Sequence, residues 1–245
     1  MFSVVVPLYN EETNVLRLLE AVPASLETNP YVDDWELICV DDGSTDRTAE
    51  RLAGAASERV VVVTLPVNQG QSAAILHGVA RARGDVIGVL DGDLQTTPDD
   101  FTVLLAEMQR GSWDAVHGIR RDRRDSLVRR WSSRVANAVR RWALKDDFED
   151  ISCPLAVFRR TCMDGVPRFD ALHRYLPYLF RLQGLRVTQV PVRHFPRVAD
   201  QAKYGIANRL AIGVTSLLVM RWLGRHAVMR GPEDDQARRM ERVNT

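Results

Sequence analysis

Between Phe2 and Ile119 the chain alternates short, β-branched apolar runs with stretches of helical period. The apolar runs are Phe2–Leu8, Trp35–Val40, Val60–Leu65, Val86–Leu90 and Ala115–Ile119, and each has the length and composition of a buried strand. After the first run, Val15, Leu18, Leu19 and Val22 recur on one helical face, with Asn10 as a candidate cap. Ser44 or Thr45 can cap a second helix running to about Arg59; further helices are expected from Gln71 to Ala82 and from Pro98 to about Arg110. A chain patterned in this way buries its strands only by laying them side by side and covering both faces with helices. The expected fold is α/β, a Rossmann-like, mostly parallel, doubly wound sheet.

Three strand ends carry polar clusters: Tyr9-Asn10-Glu11, Asp41-Asp42 and Asp91-Gly92-Asp93 with Gln95 two residues on. In an open α/β sheet ligands gather beyond the carboxyl ends of the strands, where these clusters fall. Two carboxylates and an amide oxygen suit a hard divalent cation that keeps coordination positions for phosphate oxygens. Plainer readings are a solvated acidic turn for Asp91-Asp93 and helix capping for Asp41-Asp42. No Gly-x-Gly-x-x-Gly or Walker pattern follows any strand, so neither a dinucleotide site nor a P-loop is signalled.

The net charge of +1 hides a division. Residues 1–119 carry 7 Lys/Arg against 19 Asp/Glu, whereas residues 120–230 carry 23 against 9. An acidic half fit to hold a cation is joined to a basic half fit to meet an anionic partner. Cys39, Cys153 and Cys162 show no metal or redox spacing, and a reducing, cytosolic compartment is expected. Strand-like residues begin at Phe2 without a basic leader, so no signal peptide is expected. No apolar run is long enough to span a bilayer; Leu210–Met220 is about half that length.

From Arg120 to Lys145 there are ten cationic side chains and two acidic ones, with Leu127, Val128, Trp131, Val135, Val139 and Trp142 at helical spacings. This reads as a basic amphipathic helix at a membrane surface. The alternative is a surface helix that packs Trp131 and Trp142 into the domain; a nucleic-acid partner has no accompanying motif. A second such helix, Tyr204–Met229, is framed by Arg209, Arg221 and Arg225 and suits the membrane interface, with a dimer or core helix as the alternative. The expected organisation is a domain over 1–203 (acidic, cation-holding half 1–119, basic half 120–203), an interfacial helix over 204–230 and a disordered tail over 231–245.

Pro7-Leu8-Tyr9-Asn10-Glu11, Val40-Asp41-Asp42-Gly43-Ser44-Thr45-Asp46, Asn68-Gln69-Gly70 and Asp91-Gly92-Asp93-Leu94-Gln95 with Pro98 resemble, in order and spacing, the family-2 glycosyltransferases of the GT-A fold. With Gly118-Ile119-Arg120, Ser133, Asn137, Asp150–Phe158 and Lys203-Tyr204-Gly205, the chain looks most like the dolichyl-phosphate mannose synthase and bacterial polyprenyl-phosphate transferase branch. The resemblance implies an enzyme that moves a hexose, with inversion, from a nucleoside diphosphate sugar to a polyprenyl phosphate on the cytoplasmic membrane face. It implies that Pro7, Tyr9 and Glu11 lie near base and ribose, that Asp41 and Asp42 fix the base, and that Asp91, Asp93 and Gln95 hold Mg²⁺ or Mn²⁺. It places Arg120, Ser133, Arg197 and Lys203 at the acceptor phosphate or donor diphosphate, and Asp150 where relatives have a proposed base. A phosphate monoester is already largely anionic at neutral pH, so Asp150 is equally suited to orient the acceptor or a cationic side chain. Cys153-Pro154-Leu155 departs from the small-Gly-Phe sequence usual there. His173-Arg174-Tyr175-Leu176-Pro177 also fits the family, with His173 read as a satisfied interface histidine. Other readings are a soluble or protein acceptor and a donor-binding scaffold without catalysis; a second copy or a separate membrane subunit is a further possible partner.

Overall fold

The computed structural model describes residues 1–120, 137–195 and 206–226, with only the backbone course given over 206–215. The central strands are β1 (Phe2–Leu8), β2 (Trp35–Asp41), β3 (Val60–Thr64) and β4 (Val86–Val89), followed by β5 (Ala115–Arg120), β6 (Ala156–Arg159) and β7 (Val187–Val192). Among the described residues these form one sheet in the order β3-β2-β1-β4-β6-β5-β7. β1 pairs in parallel with β2 and β4, and β2 with β3. Every residue of β1 and β2 is buried, as expected of strands covered on both faces.

Pattern reading anticipated neither β7 nor β6, and β6 inserts antiparallel between β4 and β5. Its four residues, Ala156 to Arg159, hold one β-branched side chain and end on arginine, so they do not stand out as an apolar run. Because β6 reverses direction twice over, β5 and β7 again run parallel to β1 and β4, and β5 pairs directly with β7. The exits of β1, β2, β4, β5 and β7 therefore lie along one edge of the sheet. The order turns outward on both sides of β1, which makes this edge the switch point where open sheets bind ligands.

α1 (Val15–Glu27) and α4 (Phe101–Gly111) cover one face, where Leu18, Val22, Leu104 and Leu105 pack on Phe2, Val4, Val6 and Leu8. α3 (Gln71–Arg81) covers the other, with Ala74, Ile75 and Val79 against Val5, Ile38 and Val40. α2 (Thr48–Ala53) is much shorter than the stretch to Arg59, because the chain turns at Gly54 and Ser57 before β3. α5, described over 137–144, and α6 (Leu176–Leu182) follow β5 and β6, and α7 (Ile206–His226) closes the described chain.

Two local expectations are corrected. Asn10 caps no helix: it lies at φ 53° and its Oδ1 accepts the Thr45 amide at 2.8 Å. α7 is not apolar along a single stripe. Met220, Leu217 and Leu223 pack inward, while Leu218, Val219 and Trp222 face solvent.

α5 and α7 touch through Arg221, whose Nη1 donates to Ala143 O at 3.3 Å and whose guanidinium sits 5.5 Å from the Trp142 ring centre. Trp142 is 75% exposed and Trp222 60%, so the reading that buries Trp142 in the domain does not hold. Trp131 lies outside the described residues.

Candidate functional site

The exit loops of β1 and β2 are stitched to each other. Asn10 N–H donates to Ser44 Oγ, Glu11 N–H to Thr48 Oγ1 and Glu12 N–H to Asp46 Oδ2, at 2.8–3.1 Å. Asp46 Oδ1 also accepts the Thr48 amide, so this carboxylate, not Ser44 or Thr45, holds the start of α2. Gly43 makes the crossing possible, at φ +67° and so close to Val67 that a Cβ would lie 2.5 Å from its carbonyl carbon.

Asp41 and Asp42 are almost wholly buried, at 1% and 2% exposed. Asp41 Oδ1 accepts the Ser44 amide. Asp42 accepts the Gln69 amide on one oxygen and the Gly70 amide on the other, both at 2.8 Å. This ties the turn before α3 to the end of β2. Asp42 reaches the cleft wall; Asp41 lies behind it.

The cleft has a volume of about 200 Å³, and Pro7, Tyr9, Glu11, Asp42, Asp91 and Asp93 form much of its wall. The structure thus gathers six of the expected site residues, and adds Asn68, Gly70 and Gln71 from the start of α3. Gln71 carried no signal in sequence beyond being a polar first residue of a helix. In space its Nε2 donates to Asp91 Oδ1 at 2.7 Å.

The Asp91–Gln95 loop is tight: Leu94 sits at φ 52° and Asp93 Oδ1 accepts the Gln95 amide at 3.1 Å. Gly92 lies against Leu8, where a Cβ would fall 2.3 Å from Cδ2. Gln95 also meets the segment leaving β7. Its carbonyl accepts the Phe195 amide at 2.8 Å, and its Nε2 reaches Phe195 O at 3.5 Å. Arg193 clamps the same segment to Asp100 through N–H and Nε, at 2.7 and 2.8 Å. These stitches were not legible in sequence, since they join residues about a hundred positions apart.

No cluster of three or more His, Cys, Asp or Glu able to hold a metal occurs among the described residues. Asp91 and Asp93 on the cleft wall nevertheless fit a hard cation that takes its remaining oxygens from a diphosphate; Gln95 belongs to the same loop but is not part of the wall.

Beside the cleft, Arg120 at the end of β5 makes a paired contact with Asp150, Nε to Oδ2 at 2.7 Å and Nη2 to Oδ1 at 2.9 Å. Nη2 also donates to Ser152 Oγ at 3.0 Å. Burial works against the Arg120 charge, but the hydrogen bond to Asp150 and the charges of Asp150 and nearby Asp91 outweigh it and hold the guanidinium above its ordinary pKa. Asp150 therefore partners a cation, and Cys153 packs beneath against Gly118. Burial pushes the Cys153 thiol up to about 12, so it is no nucleophile. His173 pairs with Ser72, Oγ to Nδ1 at 2.8 Å, as an interface histidine should, and burial lowers its pKa to about 4. Ser133, Arg197 and Lys203 lie outside the described residues.

A mostly parallel sheet with a carboxylate-lined cleft at its switch point defines a GT-A type α/β protein. Residues 3–173 match the family model described as glycosyl transferase family 2, and the chain belongs to that family.

Among curated proteins it is 34% identical over 213 residues to the undecaprenyl-phosphate 4-deoxy-4-formamido-L-arabinose transferase of Pseudomonas fluorescens, covering 86% of this chain and 62% of the relative. It is also 34% identical over 224 residues to the dodecaprenyl-phosphate galacturonate synthase of Rhizobium johnstonii, covering 89% and 66%. The chain thus spans a little under two thirds of the length of such relatives.

In fold it is similar to the glucosyl-3-phosphoglycerate synthase of Mycobacterium tuberculosis, solved with Mn²⁺, UDP-glucose and phosphoglyceric acid. The TM-score is 0.66 at 22% identity, over 95% of this chain and 81% of that one.

Proposed function

We propose that this protein transfers a sugar from a nucleoside diphosphate sugar to a polyprenyl phosphate, with inversion, at the cytoplasmic membrane surface. The observation that carries the reading is the pairing of Asp91 and Asp93 on the cleft wall of a family-2 chain whose curated relatives are named for polyprenyl-phosphate sugar transfer. Those relatives handle a formamido-arabinose and a galacturonate, so the donor class is better stated as glycosyl than as hexosyl.

The donor's nucleoside would lie along Pro7, Tyr9 and Glu11, with Asp42 holding the Asn68–Gly70 turn that walls the pocket. Asp91, Asp93 and the amide oxygen of Gln95 would hold Mg²⁺ or Mn²⁺, which when bound offsets the charge developing on the leaving diphosphate. Arg120 is oriented by Asp150 toward the acidic loop and is suited to grip a phosphate oxygen through its fork. An acceptor phosphate attacks with an oxygen that is already anionic, so Asp150 serves by aiming Arg120 and not by removing a proton. Arg197 and Lys203 follow the segment that Gln95 and Arg193 anchor beside the loop, and are assigned to the same phosphates. Ser133 is assigned there by family resemblance.

Membrane contact is supported by the apolar groups that α5 and α7, joined through Arg221, leave exposed. Val139, Trp142, Leu218, Val219 and Trp222 are all exposed, as are Arg141, Lys145 and Arg225 on the same two helices. Aromatic and apolar groups rimmed by cations suit an anionic lipid interface. Among the described residues no helix is long and apolar enough to cross a membrane. Three buried, unbridged cysteines fit a reducing compartment.

The test is transfer of label from a panel of nucleoside diphosphate sugars into organic-extractable undecaprenyl phosphate, with Mn²⁺ or Mg²⁺ and with chelator. Metal-dependent label in the organic phase supports the reading. Donor hydrolysis or binding without lipid label redirects the acceptor, and no donor binding overturns the assignment.

A further inference from the structure

We infer that Gln71 is a positioning residue for the cation-holding carboxylate Asp91, an inference that rests on the proposed metal site. Gln71 is the first residue of α3 and is held there from two sides. Upstream, Gly70 at φ +90° leads into the helix, and Asp42 takes both the Gln69 and Gly70 amides at 2.8 Å. Downstream, Ser72 is buried and bonded across the halves of the chain to His173. Its Oγ lies 2.8 Å from Nδ1 and accepts the His173 amide at 3.4 Å. With the backbone on either side fixed in this way, the Gln71 side chain lines the cleft and its Nε2 ends 2.7 Å from Asp91 Oδ1.

The chemistry of an amide suits that place. One N–H fixes the rotation of the Asp91 carboxylate without adding a positive charge that would compete with a cation. A lysine or arginine there would neutralise the carboxylate, and a carboxylate would repel it. Partners that orient a ligating carboxylate in this way typically govern metal affinity by about 10–100-fold.

The experiment is Mn²⁺ binding by the full chain without any donor, read from the free-ion electron paramagnetic resonance signal, on wild type, Gln71→Met and Gln71→Ala. Methionine keeps the length and bulk of the side chain and removes the donor. Alanine reads the same contact should methionine pack badly. We expect both variants to bind Mn²⁺ about 10–100-fold more weakly, with the melting temperature within about 2 °C of wild type. A wild type that binds Mn²⁺ and variants within about twofold of it overturn the role of Gln71 alone. A wild type that leaves Mn²⁺ free, and takes up no more of it when UDP is added than UDP alone does, overturns the metal site and this inference together. Loss of Mn²⁺ affinity accompanied by a fall in melting temperature well beyond that window assigns Gln71 a structural role and also overturns the inference.

Discussion

At the scale of single residues, Asp93 and Asp150 carry the sharpest expectations. Asp93 lines the cleft and shapes its own loop through the Gln95 amide. Asp93→Ala should lower sugar transfer about 10²–10³-fold, measured at saturating donor. Asp93→Asn, which keeps the turn, separates loop shape from charge: retention of full activity with metal would remove Asp93 from the cation site.

Asp150 is a different case. Bound to Arg120 by two hydrogen bonds, it should act through that guanidinium. Asp150→Asn should cost about 10–100-fold in kcat/KM and leave the shape of the pH profile unchanged. Disappearance of an acidic limb from that profile would make Asp150 a base after all. Both aspartates were visible in sequence as motif positions, but the partner that decides between the two roles of Asp150 was not.

At the scale of elements, two histidines tie pH to stability. His117 on β5 is buried among apolar groups including Phe180, and burial lowers its pKa to about 3; His173, on the turn docked to α3, is lowered to about 4. Unfolded histidines titrate near 6.5, so below that pH the unfolded chain binds more protons than the folded one. Stability is therefore full above about pH 6.5 and falls as pH drops toward 4, contrary to a histidine held by a carboxylate. Thermal melts should lose several degrees between pH 7 and pH 5, and His117→Met should flatten that slope. An unchanged melting temperature over this range would show that neither ring is buried neutral.

The strands of the first half were legible as continuous β-branched apolar runs, and α1, α3 and α4 by their helical period. β6 and the end of α2 were not: Ala156–Arg159 holds a single β-branched residue and closes on arginine, and α2 stops where the chain turns at Gly54.

At the scale of the whole molecule, charge division becomes geometry. The acidic half forms the cleft and the basic half carries α5 and α7, which touch where Arg221 meets Ala143 and Trp142 and which both expose a tryptophan. The double variant Trp142→Ser/Trp222→Ser should weaken sedimentation with phosphatidylglycerol vesicles at least about tenfold. It should leave transfer to a short-chain, water-soluble prenyl phosphate unchanged. Equal vesicle binding by wild type and variant would assign the patch another cover.

What the sequence by itself determined is what local patterning and residue chemistry can carry: an α/β chain, the strands whose ends bear polar groups, and the loop of Asp91, Asp93 and Gln95 for which a hard-cation site is proposed. Those features depend on neighbours within a turn or two, so they are written contiguously. The tertiary structure alone decided that Asp42 is spent on the turn before α3, that Arg120 and Asp150 are one unit, that Gln71 meets Asp91 and that Gln95 is stitched to Phe195. Each joins residues 20 to about 100 positions apart, and such pairs are set by strand order and register rather than by any pattern within a segment.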